Sequence, residues 1–474
     1  MQNLQIHTAC PQCGGAVEIH ETEHVIDCPY CRVKTLLLPH NVFRYYIAPK
    51  EGISEPMLFF PYWRFRGQLF SVETEQVHSK MMDLNFIAGN WKEIPYSLGV
   101  RTQTLHVIPI HPKMNGRLIR EEMPLQEVRS RVGHMAKSSF EMRMKEKEES
   151  DRKESIHPGS ILTARVDYFN ESTTGSETAM RLNSFFETLQ NRNKRDAGIP
   201  IEPMQKLVYE QEFIGETINM VYFPYFIKNG QLMDGVLDKP VIYKSDSLNE
   251  LNSIPQHDQA YAFKHQPLIC SQCGWDLQGF RDSIFFFCAN CGQGWMIYQN
   301  DLKACKYQFM NSEEKSIHLP FWKIKVKIAG IAVQEYEHQR LTTFRFDESA
   351  REERIFYVPA FRILTEIFLR LARAFNSTRS DLETVPFQEQ TYFPATLPLS
   401  EAVESIFIIL SQMSDVKKRI LENKEKIQID AKQAILEYHP FRQLGMELQH
   451  AGMGFSFYKT AFRDLTRIED ISKQ

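Results

Sequence analysis

Two stretches carry the decisive pattern, CPQCGGAVEIHETEHVIDCPYC at residues 10–31 and CSQCGWDLQGFRDSIFFFCANC at residues 270–291. Each spells C-x2-C-x14-C-x2-C, through Cys10, Cys13, Cys28 and Cys31 in the first and Cys270, Cys273, Cys288 and Cys291 in the second. The shift from Cys10 to Cys270 is 260 residues, and the other three cysteines repeat it. Two residues between paired cysteines let a tight turn aim both sulfurs at one ion, and four thiolates complete the tetrahedral shell of zinc. Glycine follows the second cysteine at Gly14, Gly274 and Gly292, where such a knuckle needs a positive φ. Two quartets with identical gaps are not a chance outcome, so the chain reads as a tandem duplication.

Between the cysteine pairs, AVEIHETEHVID and WDLQGFRDSIFFF each read as strand, turn, strand. On these residues the segments at about 8–37 and 268–298 resemble the zinc-ribbon superfamily. The resemblance implies a small β-hairpin fold around structural zinc and no particular activity. A catalytic zinc keeps one position open for water, whereas four cysteines close each shell here, so the reading is two structural Zn2+ ions. His20 and His24 fall in the expected hairpin turn of the first ribbon and have no counterpart in the second. Cys305 has no partner in the pattern and reads as an ordinary buried or semi-exposed thiol.

The repeat extends beyond the cysteines. LFFPYWRFRGQLF, with Pro61, Tyr62, Trp63 and Arg64, is answered by HLPFWKIKVKIAG, with Pro320, Phe321, Trp322 and Lys323. Alternation predicts strands that bury Trp63 and Phe65, or Trp322, Ile324 and Val326, and turn Arg64, Arg66, Lys323, Lys325 and Lys327 to solvent. HVIPIHP around Pro109 is matched with FYVPAFR around Pro359, and EMPLQEVRSRV at Pro124 with TLPLSEAVESI at Pro398, each of the latter pair placing proline before a helical segment. VYEQEFIGETINMVYFPYFIKNG (208–230) is matched more loosely with residues 437–462. FRILTEIFLRLARAFN (361–376) has helical periodicity, and residues 400–438 read as a long helix striped by Met413, Val416, Ile420 and Ile427. The expected fold class is therefore α+β, a tandem duplication in which each half is a four-cysteine zinc ribbon followed by a β-rich body with helices. The expected domains are ribbon 1 at 1–40, a first body at 41–260 with a charged insertion near 137–157, ribbon 2 at 261–300, and a second body at 301–474 with a long C-terminal helix.

Composition bounds the function. A chain of 474 residues, 43% of them hydrophobic, can build two or three cored domains. It contains no run of 18 apolar residues and no apolar signal region in MQNLQIHTAC, so no membrane insertion is expected. Cysteines reserved for metal fit a reducing cytoplasm. The formal charge is −3, and two zinc tetrathiolates would bring it to about −7, which opposes gripping a nucleic-acid backbone. Phosphate-loop, dinucleotide, H-E-x-x-H and G-x-S-x-G motifs are all absent. The expected function is a non-enzymatic zinc-ribbon scaffold or adaptor in a cytosolic multiprotein assembly. Its protein partners would be met by the aromatic-proline segments FFPYW, YFPYF, LPFW and TYFPA and by the helix at 400–436. The first alternative is nucleic-acid binding through YWRFRG (62–67) and FWKIKVKI (321–328), and the second an enzyme of unrecognised type.

Overall fold

A computed structural model of the chain describes residues 4–99, 106–127, 208–242, 251–255 and 264–471, apart from short gaps inside these ranges. The charged segment at 137–157 lies outside the described residues.

The first body is built on the Trp63 strand, Leu58–Glu73, which runs antiparallel between Val77–Ile87 and Val208–Lys228. Val208–Lys228 pairs in parallel with Phe43–Ile47, and it turns back into the hairpin strands Gln231–Asp234 and Lys239–Ile242. Phe43–Ile47 in turn pairs antiparallel with Val107–Pro109. In the second body the Trp322 strand, Ser316–Tyr336, runs between Leu341–Pro359 and Gln428–Leu444. Gln428–Leu444 pairs in parallel with Tyr307–Met310 and turns back into Glu447–His450 and Ser456–Tyr458. Tyr307–Met310 pairs antiparallel with Thr384–Val385. The succession of pairings and their directions are thus the same in both sheets.

The register agrees as well. Trp63 lies opposite Met220 and Phe86, and Trp322 opposite Leu436 and Val358. Trp63 and Trp322 are buried, as alternation requires. Their indole nitrogens donate to the carbonyls of Met123 at 3.1 Å and Leu397 at 2.8 Å, the residues that precede Pro124 and Pro398. The matches proposed at Pro109 with Pro359 and at 208–230 with 437–462 need correction. Pro359 lies opposite Phe321 as Ile87 lies opposite Tyr62, and Tyr222 with Pro224 corresponds to Tyr438 with Pro440.

The α+β expectation is also corrected, because the fold is predominantly β, with 52% strand and 14% helix among the described residues. Among the described residues the helices are Thr365–Ser377, Leu399–Met413 and Lys417–Glu422, all of them between two strands of the second sheet. The long helix expected at 400–438 ends at Ser414, whose ψ of 136° is extended, and the chain is strand again from Gln428. The strand Gln428–Leu444 buries every residue from Leu436 to Phe441, so period two is hidden there and the segment mimics a helix. Met413 and Ile420 of the expected stripe are core residues of the second body. No helix among the described residues is long and apolar enough to cross a membrane.

The two ribbons do not stand apart. The strand Lys264–Pro267, leading into the second ribbon, pairs antiparallel with Lys34–Leu38 of the first. One apolar cluster takes Val25, Leu36 and Leu38 from the first ribbon and Leu268, Leu277 and Phe286 from the second.

Candidate metal centres

Each quartet is assembled by two backbone knuckles. In the first, the Cys10 N–H donates to the Gly15 carbonyl at 2.8 Å and the Gly14 N–H returns to the Cys10 carbonyl at 2.9 Å. Cys28 and Arg32 close the second knuckle, and the pairs starting at Cys270 and Cys288 repeat the same two bonds with Gly274 and Gly292. The return residue must be left-handed, with φ of 73° at Gly14, 77° at Gly274 and 70° at Gly292. Arg32 holds this conformation, at φ 61°, with a full side chain.

The knuckles bring the eight predicted ligands together as two groups of four, with the sulfurs of each group within 4.8 Å of one another. The Sγ–Sγ separations are 3.7 Å for Cys10–Cys31, 3.6 Å for Cys13–Cys28, 3.7 Å for Cys270–Cys291 and 3.4 Å for Cys273–Cys288. A tetrahedron with Zn–S arms of about 2.3 Å has edges of about 3.8 Å, so each cage fits one ion with little movement. The first cysteine of each pair is buried, whereas Cys13, Cys273 and Cys291 are exposed. The Cys31 backbone amide pulls the Cys28 thiol down to about 7. Hydrogen bonds from the Asn290 side chain and the Trp275 amide bring Cys273 to about 6. Both shifts favour the thiolate that a metal requires, whereas burial and the neighbouring cysteines push Cys31 and Cys291 up to about 12. Two groups of four cysteines are therefore arranged to hold one metal ion each, with the donor set of zinc.

His20 and His24 join neither group. The His20 carbonyl and Glu23 form a turn between the ribbon's hairpins, and the His24 N–H donates to the Arg281 carbonyl at 2.7 Å. Cys305 is buried, and desolvation pushes its thiol up to about 12, which disfavours the thiolate.

The aromatic-basic segments differ from expectation. Tyr62, Trp63, Arg64, Phe65 and Arg66 are all buried, Arg64 with 0% exposure. Glu21, in the turn of the first ribbon, pairs with Arg64 and reaches Arg66 at 2.7 Å, while Asp83 takes the other Arg64 nitrogen at 2.7 Å. The ribbon turn thus covers the strand face that alternation alone assigns to solvent. In the second body Lys323 is half-buried and pairs with the buried Glu437 at 2.7 Å, and Lys325 and Lys327 both reach Glu353. Glu437 continues inward: His439 Nε2 lies 3.3 Å from it, and His450 Nε2 lies 3.4 Å from His439 Nδ1. Sequence reading missed both buried networks, and only the unusual acid and two histidines among apolar residues of strands around Pro440 and His450 hinted at the second. The aromatic-proline segments are likewise interior, with Phe59, Phe60, Phe223, Tyr225, Phe321 and Phe393 all buried.

The ribbons carry exposed aromatics of their own. Tyr30, in the second knuckle of ribbon 1, lies with its ring against Gly15, where an added Cβ would meet it at 2.5 Å. Trp275 occupies the position corresponding to Gly15, so in ribbon 2 the aromatic comes from the opposite knuckle. Both side chains are largely solvent-facing, Tyr30 at 68% and Trp275 at 59%. No protein-family model, curated protein or solved structure matches the chain.

Proposed function

We propose that the chain is a non-enzymatic scaffold or adaptor of a cytoplasmic protein assembly, stapled by two structural zinc ions and built by duplication of a ribbon-plus-sheet unit. The observation that carries this reading is the pair of closed four-cysteine cages, which leave a bound zinc no position for a substrate or water. The recurrence of strand pairings and of the Trp–carbonyl–Pro contact supports the duplication. All nine cysteines are free thiols, and eight of them belong to the two cages, which suits a reducing compartment. Because the aromatic-proline segments and the helices Leu399–Met413 and Lys417–Glu422 pack inward, partner contacts would fall on surface side chains, foremost Tyr30 and Trp275 on the knuckles. The nucleic-acid alternative loses its motivating segments, since their aromatics are buried and the cations discussed above face carboxylates.

Two measurements test the reading. Elemental analysis of protein purified without added metal is expected to return two equivalents of zinc, and one equivalent, or iron, would overturn the metal assignment. Affinity purification with mass spectrometry is expected to recover near-stoichiometric protein partners that Tyr30→Ala or Trp275→Ala weakens. Recovery chiefly of nucleic acid, with binding that collapses as salt rises, would replace the scaffold reading with the alternative.

A further inference from the structure

One strand touches both metal centres. Lys34–Leu38 begins three residues after the ligand Cys31 and is buried on both faces. Leu37 packs into the first-half core with Ile6, Cys10, Ile26 and Cys28, while Leu36 and Leu38 pack with Leu268, Cys270, Phe286 and Cys288 of the second ribbon. Two ligands of each site therefore share a core with the same strand. Its free edge is filled by Lys264–Pro267, with Leu38 opposite Lys264 and Thr35 opposite Pro267. The N–H groups of His24 and Val25 both donate to the Arg281 carbonyl, at 2.7 and 2.9 Å, in the turn between the second ribbon's hairpins.

In a ribbon of this size the free energy of metal binding is also folding free energy. Loosening the second ribbon withdraws the pairing strand from Lys34–Leu38 and exposes Leu36 and Leu38, so the first cage loses part of what holds Cys31 in place. We infer that the two zinc sites bind cooperatively, each raising the other's affinity through the Lys34–Leu38 strand. Linkage requires the factor to be the same in both directions. The inference rests on the zinc reading above and extends it to how the metals are gained and lost.

The test uses the full-length chain and competition for zinc with a chromophoric chelator. Wild type is expected to hold two zinc ions, and a smaller number would defeat the zinc reading itself. Cys273→Ser is expected to retain one ion, bound about five-fold or more weakly than the first-ribbon ion of the wild type, and Cys13→Ser should weaken the second site by the same factor. Unchanged affinity at the remaining site in either variant overturns the coupling while leaving the zinc reading intact. Leu36→Ala keeps all eight ligands and guards against a cysteine variant that fails to fold. It is expected to speed release of both ions together with the far-UV spectrum preserved. Release that is unchanged, or faster for one ion alone, counts against the coupling.

Discussion

Asp234 and His450 hold the same place in the two sheets and cap the same kind of turn. Asp234 Oδ1 accepts the N–H groups of Val236 and Leu237, both at 2.9 Å, and His450 Nδ1 accepts those of Gly452 and Met453, both at 3.0 Å. Asp234 lies opposite Tyr225 and His450 opposite Phe441, at equivalent points of the sheets, and both are buried. An imidazole has a second nitrogen, and once Nδ1 accepts, Nε2 must carry the proton. That N–H points to His439 Nδ1, which leaves His439 Nε2 to donate to Glu437. A turn cap in one sheet is the inner end of a polar chain in the other.

This chain makes the fold acid-sensitive. Burial, and then the neighbouring His439, lowers His450 to about 3, and burial also lowers His439 and His318. Unfolded histidines titrate at about 6.5, so between the folded and unfolded values the unfolded chain binds more protons. The stabilisation is complete above about pH 6.5 and drains away as pH falls towards about 3. The urea midpoint should drop between pH 7.5 and 5. His450→Asn keeps an acceptor for the turn but does not titrate, so its midpoint should fall less steeply over that range. The difference between the two proteins separates the imidazole from acid loss of metal, and identical slopes would refute the assignment.

Trp322→Phe should destabilise the protein by about 2–3 kcal/mol, because it orphans the buried Leu397 carbonyl and leaves a small cavity. Trp63→Phe should cost about as much through Met123. Equilibrium unfolding monitored by circular dichroism reads both, and a loss under about 0.5 kcal/mol in either would mean that the contact is dispensable.

Removing one member of the buried ionic cluster should be far more harmful than breaking a surface pair. Glu21→Gln leaves two buried guanidinium groups short of charge and is expected to cost about 3 kcal/mol. Burial shields the cluster, so that loss should persist in 1 M salt, where the Debye length is only about 3 Å. Lys325→Ala, which breaks an exposed pair with Glu353, should change stability by less than about 1 kcal/mol.

Arg32 is the one return residue of the four knuckles that is not glycine. Arg32→Gly relieves left-handed strain at φ 61° and should stabilise the first ribbon by about 0.5–1 kcal/mol, part of the gain being offset by glycine's unfolded-state freedom. Chelator competition should show about two- to five-fold tighter zinc at that site, with the second site following only as far as coupling carries it.

The parts legible in the sequence are those set by short-range spacing. The cysteine knuckles, the burial of Trp63 and Trp322, and the equivalence of Pro124 with Pro398 all depend on a few neighbouring residues. What escaped depends on remote cover. Alternation says that Arg64 and Trp63 face opposite ways, but not that Glu21 folds over the Arg64 face. Both faces of Leu436–Phe441 are buried, which erased the period that would have marked a strand. The same double burial, in Phe285 and Phe287 against Phe286, shows why the contact between ribbons left no trace in the pattern.

The edge of Lys34–Leu38 has one further consequence. The corresponding strand of the second ribbon, Gly294–Tyr298, has its edge filled by its own continuation, Asp301–Cys305. Among the described residues the strand pairing between ribbons is thus one-way: a leading strand from the second ribbon docks on the first, with no matching strand from the first on Gly294–Tyr298. Repeated between identical units, such a head-to-tail contact would grow into an open-ended array. The hairpin through Asp301 fills the edge at which such a series would continue.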